Sequence, residues 1–351
     1  MLSKKSKGLF VEVSSFSVLT ATTSQYDTPL TLEAVHEYQG DLDAPEFRAQ
    51  VERMVPGKGS RFVTARCAAY PVSRFFRRHT LESSAKAKDP RYFPDVLQQQ
   101  FRIEPSKHMA AVLLATTGES FSADKPMTAQ KEVLIAGASN EDFSRLQESF
   151  VSRQVVPETL ELGTLASLGG VMDYLRWSRA DQPVLLLEIT PQNSNLFVVN
   201  NGLVDLCRPI PYGLNAMFPI VQKELGLKDE ESAKKLFFSN TFDFTEMGPA
   251  LMRKMLKELQ ASTGFYEVQT GQSIGAFVLT LLPRNLTWIR DVLTRDLGLR
   301  ALSFDYAGWL ASRQIEVAPG ISLDPQDPRW LGLLSMIGNL STTKGHGNQE
   351  G

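Results

Sequence analysis

Two glutamates in this chain sit where an apolar strand gives way to a turn of hydroxyl and amide side chains. Glu188 follows the apolar run Val184–Leu187 and leads into Thr190-Pro191-Gln192-Asn193-Ser194-Asn195, before a second apolar run, Leu196–Val199. Asn200-Asn201-Gly202 then turns the chain into a third strand. A weaker copy lies near the N-terminus, where Leu9-Phe10-Val11 reaches Glu12 and then Val13-Ser14-Ser15-Phe16-Ser17. A carboxylate at a strand end, followed by a short polar turn and a returning strand, is the layout of a phosphate-binding hairpin. Ser14, Ser15, Ser17, Asn193 and Ser194 carry donors that such a turn offers to an anion. Serine and asparagine are also the ordinary chemistry of tight turns, because their side chains bond the local backbone. At the level of sequence both readings stand.

Other chemistry is sparse. His36, His79, His108 and His346 show no metal spacing and no acid partner, so no nucleophile–base pair can be drawn from them. Cys67 and Cys207 lie in apolar, strand-like contexts without metal spacing, as expected of a reduced, cytosolic protein. The run from Arg74 to Arg91 is basic (Arg77, Arg78, Lys86, Lys88) and interleaved with Phe75, Phe76, Tyr92 and Phe93. It admits a nucleic-acid reading, with an acidic partner surface or anionic lipid head groups equally open. Against the first stands a net charge of −2, from 37 basic and 39 acidic residues. Nucleic acid is therefore not expected as a partner.

The elements that must position these residues alternate between strand and helix. At 351 residues the chain exceeds one small core and fits two lobes or more. Gly8–Ser24 reads as a hairpin, Leu32–Tyr38 and Arg61–Ala68 as strands, and Pro45–Met54 as an amphipathic helix. Composition shifts over Ser73–Pro94, which reads as basic and polar. Strands are expected at Met109–Thr116 and Lys131–Ala138, a polar loop at Gly118–Ala129, and a helix at Asn140–Ser152. After the central hairpin come helices at Asn215–Leu225, Asp229–Phe238 and Thr245–Thr263, a strand at Phe277–Leu282, and helices at Leu286–Leu297 and Trp330–Leu340. The tail Ser341–Gly351 has no apolar anchor and is expected to be disordered. The lysines of Met1–Lys7 precede an apolar segment broken by Glu12, so no signal peptide is expected there. No later apolar run reaches the roughly 18 residues a spanning helix needs.

In their order and spacing these segments resemble the PilM family, cytoplasmic actin-like proteins of bacterial type IV pilus assembly, and more distantly FtsA. The resemblance runs to about Leu340. The family's first phosphate hairpin reads roughly DIGSSSVK, where this chain has Glu12-Val13-Ser14-Ser15-Phe16-Ser17-Val18-Leu19. Its second is matched by Glu188-Ile189-Thr190, Asn201-Gly202 and Arg208-Pro209-Ile210-Pro211-Tyr212-Gly213. Its "EAExLK" and "EIxRSLxFY" helices resemble Glu231–Leu236 and Glu258–Tyr266. In the family each hairpin aspartate helps hold magnesium or orient water, and the following glycine lets backbone amides approach the phosphates. Here those positions are Glu12, Ser14, Glu188 and Thr190, and the glycines of an "LSGGGA" adenosine loop give way to Leu281-Leu282-Pro283-Arg284. Lys234 and Lys235 match lysines that hold ribose or phosphate, and they read equally as a solvated helix face.

The resemblance implies a two-lobed α/β actin-like (ribonuclease H-like) fold with a small α/β subdomain inserted in the first lobe. Its first lobe is expected over 1–72 and 151–180, the insertion over 73–150, the second lobe over 181–325, and a C-terminal helix returning to the first lobe over 326–340. The function implied is a scaffold of type IV pilus or type II secretion assembly. It would bind the N-terminal cytoplasmic peptide of a PilN-like inner-membrane protein, between the core lobe and the insertion, and other assembly proteins. The membrane would be met only through that partner, and self-association is open. Its nucleotide site, at Glu12, Ser14, Ser15, Ser17, Glu188, Thr190, Asn193, Ser194, Lys234 and Lys235, would be degenerate and bind ATP/Mg weakly or not at all. A working ATPase of the same machinery is the alternative, and a sugar- or acid-kinase relative lacks a catalytic base that can be placed.

Overall fold

The apolar runs beside the two glutamates fold as inner strands of two separate sheets. The computed structural model describes residues 7–55, 61–125, 131–239 and 241–338. Lys4 and Lys5, the end of the 118–129 loop, the last residues of the final helix and the tail 341–351 lie outside them. In chain order the first elements are β1 (Gly8–Val13), β2 (Ser17–Thr23), β3 (Leu30–Gln39), α1 (Pro45–Met54) and β4 (Val63–Ala69). β5 (Phe75–Thr80), α2 (Ser84–Ala87), α3 (Tyr92–Gln99), β6 (His108–Leu114), β7 (Glu132–Ser139) and α4 (Asn140–Ser152) follow, then β8 (Val155–Leu162) and α5 (Gly163–Ser178). Next are β9 (Val184–Ile189), β10 (Ser194–Asn200), β11 (Leu203–Ile210), α6 (Phe218–Glu224), α7 (Glu230–Phe237) and α8 (Gly248–Thr270). The chain closes with β12 (Ala276–Thr280), α9 (Trp288–Leu297), β13 (Arg300–Ala301), α10 (Tyr306–Ser312), β14 (Ile315–Val317) and α11 (Leu331–Ile337).

Two compact units result, one of residues 1–178, 305–323 and 330–351, the other of 179–304 and 324–329. The first is built on a six-stranded sheet in the order β14-β3-β2-β1-β4-β8. Period-two alternation sends Leu9 and Val11 to one face, where they join Val18, Phe47, Val51 and Cys67 in a buried cluster. Phe10 and Glu12 point to the other face, which α11 covers at β1. The second unit holds a five-stranded sheet, β11-β10-β9-β12-β13. Its inner strands β9 and β12 are buried at every position, as strands covered on both faces must be.

Several expectations need correction. Residues 305–323 were expected in the second lobe but belong to the first unit: β14 pairs in parallel with β3, Ile315 beside Leu30 and Val317 beside Leu32. α10 is held there by Asp173 of α5, which accepts from Trp309 Nε1 at 2.8 Å and Arg313 Nη2 at 2.7 Å. The stretch Ser73–Pro94, expected to be polar, contains β5 and the start of α3. It forms an antiparallel sheet β5-β7-β6 with its own core, including Phe75, Leu81, Tyr92, Val96 and Ile135. The insertion does not run to 150, because Phe150 at the end of α4 is fully buried in the core of the six-stranded sheet. The helix expected to end at Thr263 continues to Thr270, where Gly271 at φ +68° supplies the left-handed cap.

Candidate functional site

In the first unit the β1–β2 turn is closed by its own hydroxyl. Ser14 Oγ accepts from the amides of Phe16 at 3.2 Å and Ser17 at 3.1 Å, while Ser14 N donates to Ser17 O at 3.0 Å. Two amides that would otherwise face an anion are thus taken by a local side chain. Ser15 is exposed at the tip and Ser17 is buried in β2. Glu12 is 3% exposed and accepts a 2.6 Å hydrogen bond from Tyr70 Oη, which in turn lies 3.1 Å from Ser167 Oγ of α5. Gly332 of α11 roofs this carboxylate: a Cβ there would stand 2.6 Å from Oε2 and 2.9 Å from Oε1. The approach is open only to a residue without a side chain.

The second unit repeats the device. Thr190 Oγ1 donates to Asn193 O at 2.8 Å and accepts from Asn193 N at 3.1 Å, and Thr190 N donates to Asn193 O at 2.9 Å. The turn is also packed from behind. Leu214 N donates to Thr190 O at 3.0 Å and Asn215 N to Pro191 O at 2.9 Å, while Ser194 Oγ donates to Tyr212 O at 2.8 Å. Gly213 makes this contact, since a Cβ would meet Thr190 O at 2.5 Å and Asn193 N at 2.6 Å. Glu188 is 1% exposed and accepts from Asn195 Nδ2 at 2.9 Å, across the β9–β10 pair. Asn201 at φ +50° and Gly202 at +73° form the two-residue hairpin turn into β11.

The remaining candidates divide. Lys234 and Lys235 are exposed in the last turn of α7, whose buried side is Ala233 and Phe237. After β12 the backbone takes the left-handed conformation that glycine favours, but the residue there is Leu281, at φ +62°. Leu282 beside it is buried, so side-chain volume fills the place where the resemblance implies glycine backbone. In the basic run the aromatic residues Phe75, Phe76 and Tyr92 are core, not a stacking surface. Arg74 lies over the Tyr70 ring and donates to Thr164 Oγ1 at 3.1 Å. Arg78 pairs with Glu132 at 3.3 Å and Arg91 with Asp89 at 3.2 Å, and Lys86 pairs with Glu82.

Each unit therefore holds a buried carboxylate and, separately, a turn whose hydroxyl occupies its own amides. In both turns the hydroxyl takes backbone amides that would otherwise be donors for a phosphate: Phe16 and Ser17 in the first, Asn193 in the second. Sequence reasoning missed Tyr70, Asn195 and Gly332. Asn195 was in view as part of a turn, whereas Tyr70 reaches Glu12 across 58 positions and nothing local marks it. Gly213 was visible as the last residue of the Arg208–Gly213 segment, without its role.

No family model matches the sequence, and no curated protein matches it. Among solved structures the chain is similar to one from the PilM-PilN type IV pilus biogenesis complex, at 14% identity and a TM-score of 0.64, over 97% of this chain and 98% of that one. Weaker likeness extends to the ethanolamine utilization protein EutJ from Carboxydothermus hydrogenoformans, 11% identical with a TM-score of 0.45 over 94% and 89% of the two chains. A Bacteroides thetaiotaomicron protein of unknown function with an actin-like ATPase fold is 8% identical, with a TM-score of 0.44 over 96% of each chain. The architecture of this chain is accordingly actin-like, PilM-like in its whole course, with a small module inserted in the first of its two α/β units.

Proposed function

We propose that this protein is an actin-like scaffold of a type IV pilus or related secretion machine. It would recognise the short cytoplasmic segment of an inner-membrane partner. The observation that carries this reading is the likeness to a chain of the PilM-PilN complex over 97% of the sequence, insertion included. The inserted module has its own buried core, so it stands as a separate surface added to the fold. Location at the inner face of the membrane, through the partner, is part of the proposal. Among the described residues no helix is long and apolar enough to cross a membrane.

The nucleotide site is read as degenerate, supported by the hydroxyl-closed turns at Ser14 and Thr190 and by Leu281 and Leu282. Magnesium–ATP is expected to bind weakly or not at all. Two calorimetric titrations test the two halves, one with peptide and one with magnesium–ATP alone. A synthetic peptide of the N-terminal cytoplasmic segment of a PilN-like inner-membrane protein is titrated in, with and without magnesium–ATP. Binding of equal strength in both arms is expected. Absence of binding would remove the scaffold reading. A dissociation constant for ATP in the low micromolar range, about −8 kcal/mol, would favour the nucleotide-switched ATPase instead.

A further inference from the structure

Among the described residues, β6 is the only long outer strand built without a residue that guards its edge. The three sheets end on β14 and β8, on β11 and β13, and on β5 and β6. β13 and β14 are two and three residues long. β8 carries Pro157, β11 carries Pro209, and β5 carries Arg77 and Arg78, residue types that keep a foreign strand from pairing. β6 reads HMAAVLL, with no proline, lysine, arginine or carboxylate.

Register shows which backbone groups of β6 face outward. Ala115 N donates to Glu132 O at 3.0 Å, which makes 115 and 132 a hydrogen-bonded pair. Bonded pairs alternate along an antiparallel ladder, so Met109, Ala111 and Leu113 bond to β7. His108, Ala110, Val112 and Leu114 turn their carbonyls away from it. The chain itself uses half of this outer row. Residues 119–121 return antiparallel to β6, with Leu114 N donating to Glu119 O at 2.7 Å and Phe121 N to Val112 O at 2.8 Å. They then leave through a turn in which Lys125 N donates to Ser122 O at 3.2 Å. Beyond Phe121, Ala110 N, Ala110 O and His108 O have no partner among the described residues. Met109 beside them is 59% exposed, and Ala110 and Ala111 are exposed.

We propose that this open half of the edge takes up one extended strand of the membrane partner's cytoplasmic segment, antiparallel to β6 and in line with residues 119–121. The inference rests on the scaffold reading above. Chemistry selects the occupant: a row of backbone donors and acceptors at strand spacing binds a backbone, and a short segment without a fold of its own brings its own groups unpaired. One guest residue opposite Ala110 exchanges both hydrogen bonds with it, and the residue two further on donates to His108 O. Ala110 and Ala111 leave room for large apolar guest side chains, and the flexible Met109 adapts to their shape. No charged side chain on β6 offers an ion pair, so the docked stretch is uncharged.

Ala110→Pro removes an amide that faces outward, so the β6–β7 ladder stays intact and circular dichroism and melting should not change. In calorimetry with the peptide named above, the variant is expected to bind at least about tenfold more weakly. A second measurement uses the unaltered protein. Peptides N-methylated at one backbone amide at a time should lose at least about tenfold in affinity at every second position of the docked stretch, and less than about twofold between them. Loss at no position, or equally at consecutive positions, overturns the proposal. Peptide binding that Ala110→Pro leaves at full strength also overturns it, with the partner reading still standing. Absence of any binding by the unaltered protein removes the partner reading and this inference together.

Discussion

Gly213 shows how a single missing side chain organises the second hairpin. Its backbone lies against Thr190 O and Asn193 N, at 2.5 and 2.6 Å from where a Cβ would be, and both neighbours are main-chain atoms already fixed by hydrogen bonds. Nothing there can swing aside as the end of a flexible side chain would. Gly213→Ala should therefore destabilise the second unit by about 1–3 kcal/mol, read from urea unfolding. Gly332→Ala is different in kind, because the atoms it strikes are the Glu12 carboxylate oxygens. That carboxylate, its Tyr70 partner and Ser167 form a buried polar set in which each group depends on the next.

Within the inserted module, β5 and α3 are joined by His79 Nε2 and Tyr92 Oη at 2.8 Å. Burial holds the His79 pKa below its ordinary 6.5, against the opposing pull of Glu82, a Gln100 hydrogen bond and Glu132. The folded module thus prefers neutral histidine, while the unfolded chain takes up a proton near 6.5. The contribution is complete above that pH and declines as pH falls from 6.5 toward the lower folded value. Thermal melts should show the unfolding midpoint dropping over that window, and His79→Phe should flatten this part of the profile. An unchanged slope in the variant would assign the effect to other groups.

For the molecule as a whole, the boundary of the insertion decides what can be removed. Its two connections meet: Ser73 Oγ lies 3.0 Å from Ser139 Oγ and 2.6 Å from Asp142 Oδ2 at the start of α4. Residues 74–138 therefore leave and return at one point, and joining Ser73 to Ser139 through two glycines requires little strain. That excision should leave the six-stranded sheet folded, with cooperative melting retained. Removing 73–150 should abolish it, since Phe150 is fully buried among Leu9, Val11, Phe47 and Val155. Limited proteolysis and calorimetry distinguish the two products. If both behave alike, α4 is not part of the lobe core.

The elements carrying strong periodicity or a continuous apolar run were legible in the sequence: the hairpin around Glu12, the three strands from Val184 to Ile210, and the helix at Asn140–Ser152. So was the actin-like course of the chain, because the order of such segments survives where individual motif residues do not. β5 was hidden because its two phenylalanines are followed by two arginines, which breaks any period-two pattern, and β14 because three residues are too few to show a period. At the two glutamates, sequence supplied a carboxylate and a polar turn but left open what they bond. That was decided by Tyr70 and Gly332, brought to Glu12 from distant positions, and by Gly213, which presses on a turn more than twenty residues upstream. Local propensity fixes a turn's residues; which of its donors remain free depends on what the rest of the chain packs against it.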